Sequence, residues 1–93
     1  MIVEVALFDA TDPDGFQAGY LKARSILAAA PGCRSVRMTH GIESPQRFVL
    51  VVEWDSVEAH LDFRRSDRFG DWRAEIGPFF AQPPLVEHFT DVG

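Results

Sequence analysis

The apolar positions of the chain follow two different periods, and the switches between them mark out its elements. Ile2 to Phe8 is rich in β-branched and large apolar residues and stops at Asp9-Ala10-Thr11-Asp12-Pro13, which reads as a strand followed by a turn. From Asp14 the spacing changes. Phe16, Tyr20, Ala23, Leu27 and Ala30 recur at helical intervals until Pro31-Gly32, which predicts a helix over about 14–29. Between Cys33 and Ile42, the residues Val36, Met38 and His40 alternate with Ser35, Arg37 and Thr39 in a second strand. Glu43-Ser44-Pro45-Gln46 then supplies the turn into a third strand, Phe48 to Trp54, so the two strands form a hairpin. Asp55 or Ser56 can cap a short helix, and Ser66 or Asp67 a second segment whose apolar stripe is Phe69, Trp72, Ile76 and Phe79. The two segments read as one broken helical unit. Gly77-Pro78 frays its end, Gln82-Pro83-Pro84 makes the exit, and Leu85 to Phe89 is a fourth strand.

The order βαββαβ, with one hairpin in the middle, predicts an α+β ferredoxin-like domain. Its four-stranded antiparallel sheet carries both helical units on one face. Successive residues in a strand point to opposite faces, so Phe48, Leu50, Val52 and Trp54 oppose Val49 and Val51. In the first strand Val3, Val5 and Leu7 oppose Ile2, Ala6 and Phe8. Both faces are apolar while the helices cover only one, and so large an uncovered face is unusual in a monomer. A second copy of the sheet is the simplest cover. The expectation is a homodimer joined through the sheet face opposite the helices, with the sheets about 10 Å apart.

Composition narrows the classes. The 93 residues are read as one domain, 1–93, and the single Cys33 cannot form an internal bridge. The apolar N-terminus lacks the basic segment and cleavage site of a signal peptide, and no stretch approaches the ~20 apolar residues that span a bilayer. A soluble cytoplasmic protein without membrane contact is expected. A formal charge of −5 with interspersed signs offers no basic stripe for a phosphate backbone, which argues against nucleic acid. Arg64, Arg65 and Arg68 beside Asp62, Asp67 and Asp71 read as a solvated helix face. His40 and His88 lie on different strands without a second ligand at metal spacing, so no metal site is expected. No Gly-rich loop joins a strand to a helix, and neither flavin nor nicotinamide is indicated.

The run from Phe48 to His60, followed by Ser66-Asp67-Arg68-Phe69, resembles the antibiotic-biosynthesis monooxygenase family. The shared pattern is a strand ending in tryptophan (Trp54), a cap (Asp55-Ser56), a Glu-Ala pair (Glu58-Ala59), and Ser66 shortly before Phe69. The resemblance implies a dimeric α/β barrel. It also brings in a superfamily of cofactor-free oxygenases of electron-rich phenols, haem-degrading enzymes, small-molecule isomerases and members without demonstrated chemistry. Haem-degrading relatives use a histidine of the second helix as iron ligand, a nearby tryptophan and a strand-one asparagine. Those positions fall here on Arg73, on Phe63 and on no asparagine, and arginine does not ligate haem iron. Haem is therefore not expected, nor is any other cofactor. Many relatives carry a histidine where this chain has Phe63.

The candidate catalytic residue is His60, whose imidazole could accept a phenolic proton near neutral pH. Phe8, Trp54 and Phe63 would enclose an aromatic ring, with Trp72 as a further wall, and Arg64 or Arg73 would stabilise its anion. Trp72 and Phe69 also fit a plain core stripe. The expected function is cofactor-independent monooxygenation of a small aromatic or quinol-type compound. The alternatives are a non-catalytic binding or accessory domain, in which Phe8, Phe63, Trp72 and Phe79 would fill the cleft, or a small-molecule isomerase using the same pocket.

Overall fold

The computed structural model describes all 93 residues. In chain order it contains β1 (Ile2–Asp9), α1 (Pro13–Ala28), β2 (Cys33–His40), β3 (Arg47–Trp54), α2 (Val57–Arg64), α3 (Asp67–Ile76), a 3₁₀ turn (Gly77–Phe79) and β4 (Leu85–Phe89). The strands pair antiparallel in the order β2-β3-β1-β4, giving the ferredoxin-like α+β fold. β2 is shorter than its pattern suggested. The Gly41 N–H donates to the Arg47 carbonyl and closes the hairpin there, leaving Ile42 in the exposed turn.

Local chemistry sets the helix ends. The Asp12 carboxylate accepts from the Gly15 N–H at 3.2 Å with Pro13 in the first turn, and the Ser56 hydroxyl accepts from the Ala59 N–H at 3.1 Å. After α1 the chain turns at Gly32, whose φ of +83° suits glycine and whose missing Cβ leaves room for the Ala59 methyl. The break between α2 and α3 falls at Arg65-Ser66. Ser66 does not cap α3 with its side chain as expected, because its hydroxyl donates to the Phe63 carbonyl at 2.6 Å and ties off the end of α2.

Strand parity divides the sheet. Glu4, Ala6 and Phe8 of β1 and Phe48, Leu50, Val52 and Trp54 of β3 are buried on the helix side. There Phe16 of α1 stacks on Phe48 at 4.5 Å and meets Phe8 at 5.3 Å. On the other face Val3, Val5, Leu7, Val49 and Val51 are half-buried, and their β4 neighbours Leu85 and Phe89 are 60% and 47% exposed. No helix of this chain covers that face.

The segment after α3 is pinned to the end of β1. The Thr11 N–H donates to the Phe79 carbonyl, the Ala81 N–H to the Asp9 carbonyl, and the Gln82 amide to the Asp9 carboxylate. Arg47, opposite Asp9 in the β1–β3 register, holds the same carboxylate through Nε and Nη2. These bonds fix Phe80 and the prolines beyond it against the sheet, where they bound the cavity described below.

Two glycines test the helix layer. A methyl group on buried Gly19 of α1 would run into the Glu75 carbonyl of α3, whereas one on Gly70 meets nothing within 4 Å. Gly19→Ala is expected to destabilise the fold by about 1–3 kcal/mol in urea unfolding. Gly70→Ala is expected to stabilise it by about 0.5–1 kcal/mol.

Candidate functional site

A cavity of about 250 Å³ lies between the sheet and α3. Ala6, Phe8, Leu50 and Val86 of the sheet form its floor, Phe69, Trp72 and Ile76 of α3 one wall, and Phe80, Pro83 and Pro84 another. Its polar groups are three: Glu4 from β1, Arg64 from the end of α2 and Arg73 from α3.

Glu4 is the feature the sequence reading passed over. It belongs by parity to the row of Ile2, Ala6 and Phe8, and is only 5% exposed. Its Oε1 accepts from Trp54 Nε1 at 2.9 Å and lies 3.3 Å from His60 Nε2. Both contacts fall on one oxygen, which leaves Oε2 for the cavity. Trp54 can reach Glu4 because β1–β3 register pairs Glu4 with Val52, making Trp54 its diagonal neighbour on the same face. Register with β4 places His88 directly opposite Glu4. His60, dropped from α2 onto the Trp54 ring at a centroid distance of 5.1 Å, completes the set: its Nδ1 lies 2.7 Å from His88 Nε2.

Burial pushes the Glu4 carboxyl above its usual range, against the opposing pull of the Trp54 N–H and the Arg64 charge. Burial, then the neighbouring His88 and Arg64 charges, push His60 down to about 4. His60 is therefore an uncharged imidazole at neutral pH, and its contact with Glu4 is not an ion pair there. A neutral imidazole has one donor and one acceptor nitrogen. Both nitrogens of His60 face partners, so the ring bridges two groups.

Of the residues singled out from the sequence, Phe8, Arg64, Trp72 and Arg73 line the cavity. Phe69, which also fitted a core stripe, lines it too. Trp54 is fully buried under α2, outside the cavity lining, and serves as the hydrogen-bond donor to Glu4. Phe63 is packed between the Trp54 and Phe69 rings, so neither it nor Trp54 presents a surface to the cavity. His60, 4% exposed, is not on the cavity wall and communicates with it only through Glu4. Phe79 packs near Gly15 of α1 and does not line the cavity, and the space between Phe8 and Trp72 is open.

The three neighbouring arginines part company. Arg65 sits 3.6 Å from Asp62, and Arg68 donates to the Ala29 carbonyl at 2.7 Å. Arg64 instead lies over the Phe69 ring at 5.9 Å, as Arg73 does over Phe80. No carboxylate stands within ion-pair distance of either cavity arginine.

Residues 1–75 match the family model described as antibiotic biosynthesis monooxygenase. An uncharacterised protein of Bacillus subtilis (strain 168), YczJ, is 31% identical over 78 residues, covering 83% of this chain and 82% of its own. The crystal structure of a proposed antibiotic biosynthesis monooxygenase from Bordetella bronchiseptica superposes with a TM-score of 0.94 at 40% identity, over 98% of this chain and 96% of its own. SnoaB of Streptomyces nogalater, a cofactor-independent oxygenase, superposes with a TM-score of 0.87 over 99% of this chain and 93% of its own. At 14% identity that likeness is one of fold.

The histidine carries a pH signature. With His60 at about 4 in the folded state, the unfolded chain binds more protons between that value and the ordinary histidine range, so stability falls as pH drops through this window. Glu4 has the opposite sign, since its raised folded value makes the fold gain as the carboxyl is protonated. From about pH 7 to pH 5 the His60 contribution alone amounts to a loss of about 2 kcal/mol. Urea unfolding at the two pH values is expected to show a smaller loss in His60→Gln than in the unsubstituted protein.

Proposed function

Because the chain belongs to the antibiotic biosynthesis monooxygenase family, we propose that it is a cofactor-independent monooxygenase of a small hydroxyarene or hydroquinone bound in the cavity beside α3. The observation that carries this reading is an open apolar slot that ends on a buried carboxyl group and is flanked by two arginines without carboxylate partners. Size favours small substrates. A cavity of roughly 150 Å³ holds benzene, so 250 Å³ suits one ring or two fused rings and is too small for four.

The chemistry needs the ring as its anion. A deprotonated hydroxyarene passes one electron to dioxygen, and the resulting radical pair joins at a hydrogen-bearing ring carbon ortho or para to the oxygen. After protonation of the peroxide, its O–O bond breaks, the ring C–H proton leaves, and hydroxide and proton depart together as water. Hydroxyarene plus dioxygen thus gives quinone plus water, one oxygen atom in the new carbonyl and one in the water. The protein's part is to hold the ring, favour its anion and exclude solvent. Phe8, Trp72 and Phe80 supply flat walls for the ring, and the Arg64 and Arg73 guanidiniums supply positive charge for the oxyanion.

The partner in this reading is a second copy of the chain. Val3, Val5, Val49 and Val51, extended by the exposed Leu85 and Phe89, form a largely apolar face away from the cavity, with Glu53 and Glu87 set among them. Packing two such faces leaves both cavities open to solvent on the outer sides.

Two measurements test these points. Oxygen-electrode assays over naphthols and hydroquinones are expected to show uptake with one- and two-ring compounds and none with tetracyclic ones. Replacing both cavity arginines by alanine is expected to lower kcat/KM by about a hundredfold. Absence of uptake across the panel would remove the oxygenase reading. Sedimentation is expected to give the mass of two chains, and of one chain when Leu85 and Phe89 are both changed to glutamate.

A further inference from the structure

The buried polar groups of the helix-side face are not scattered. Glu4, His60 and His88 form a line from the cavity to the edge of the sheet, with spacings of 3.3 Å and 2.7 Å. Glu4 stands on the cavity wall, His60 is sealed from both cavity and solvent, and His88 is half-buried on edge strand β4. We infer that Glu4 is the proton acceptor for a hydroxyl group bound in the cavity, and that His60 and His88 are its proton connection to solvent. The inference rests on the reading above for the class of ligand, and it assigns to Glu4 the role that the sequence suggested for His60.

Two hydrogen-bond patterns are available to the line. With Glu4 ionised, His60 donates from Nε2 towards Oε1 and accepts at Nδ1 from His88 Nε2. With Glu4 protonated, the carboxyl donates to His60 Nε2, and His60 Nδ1 donates to His88 Nε2. Passing one proton along the line converts the second pattern into the first: Glu4 loses its O–H proton to His60, His60 loses Nδ1–H to His88, and His88 releases Nδ1–H to water. A ring in the cavity would cut Glu4 off from solvent on that side. The line can still discharge the carboxyl and leave a carboxylate facing the bound hydroxyl. The hydroxyl O–H bond then breaks towards Oε2, and the same proton is later returned to the peroxide.

Electrostatics around Glu4 agree with this use. The charged and titratable groups near it are Arg64 and His60 from α2, Arg73 from α3 across the cavity, His88 from β4 and Cys33 from β2. Burial raises the carboxyl towards neutrality, and the two arginines favour the anion of a bound hydroxyl, which brings donor and acceptor closer in proton affinity. The Trp54 N–H keeps Oε1 in place through the transfer.

The test is titration of the whole chain with 1-naphthol under argon, read by the absorption of naphtholate at neutral pH, where free naphthol is un-ionised. The unsubstituted protein is expected to show the naphtholate band. Glu4→Gln, whose amide carbonyl can still accept from Trp54, is expected to bind naphthol with at least a tenfold weaker band at saturation. His88→Gln is expected to keep the final amplitude but to reach it at least tenfold more slowly after a pH jump, which a structural role alone would not produce. No band in the unsubstituted protein, an undiminished band in Glu4→Gln, or an unchanged rate in His88→Gln overturns the inference. If Glu4→Gln does not fold, ¹⁵N spectra of the unsubstituted protein decide. Movement of the His60 proton from Nε2 to Nδ1 on acidification, with His88 changing in concert, supports the relay, and a fixed tautomer overturns it. A band under argon without oxygen uptake in air removes the oxygenase reading and leaves the relay. Oxygen uptake that survives Glu4→Gln does the reverse.

Discussion

A carboxyl group on a central strand, facing the helix layer, has to be satisfied there. Glu4 occupies that position on β1, and the indole N–H of Trp54 satisfies it from the next strand at 2.9 Å. A hydrogen bond to an ionised group contributes about 1.5–3 kcal/mol, and an unpaired buried acceptor costs a comparable amount. Much of the neighbourhood follows from this pair. Trp54 ends β3 with its ring under α2, His60 stacks on that ring, and Phe63 packs against it at a tilt. Removing the indole donor would leave the neutral His60 imidazole as the one side chain within hydrogen-bond distance of Glu4.

The same pair explains why an apolar cavity can have a polar end. α3 crosses α1 closely, because Gly19 admits the Glu75 carbonyl, and this crossing positions Trp72 and Ile76 above the sheet. On the other side, Asp9 gathers Arg47, Gln82 and the Ala81 N–H and so holds the chain that carries Phe80, Pro83 and Pro84. Neither set of contacts leaves a side chain to fill the space between Phe8 and Trp72. The cavity is thus bounded by contacts made elsewhere, and Glu4 is the one acidic group that reaches it.

Family membership and chemistry separate at this point. A scaffold shared with a cofactor-independent oxygenase at 14% identity tells of the sheet and its helices, whereas activity depends on particular side chains. In the proposed reading those side chains are a buried carboxyl, two imidazoles in line behind it and two arginines in front. That set differs from the histidine, tryptophan and asparagine of haem-degrading relatives, and it is suited to moving a proton and holding an anion.

The sequence by itself determined the order of elements and the face on which each strand residue lies, because both follow from local periods: 3.6 along a helix and two along a strand. Phe8, Arg64, Trp72 and Arg73 were also legible as candidates, since a bulky residue on the helix-facing side of a strand, or a bulky or cationic residue on a helix, marks a wall wherever the wall stands. Parity even placed Glu4 among the helix-facing residues, although an acidic residue in an apolar strand drew no notice beside Ala6 and Phe8. What only the tertiary structure decided is register and helix placement. These put His88 opposite Glu4, bring His60 to 2.7 Å from His88, and place Trp54 under α2, outside the cavity lining. Those contacts join residues 28 to 84 positions apart, and no local period carries that information.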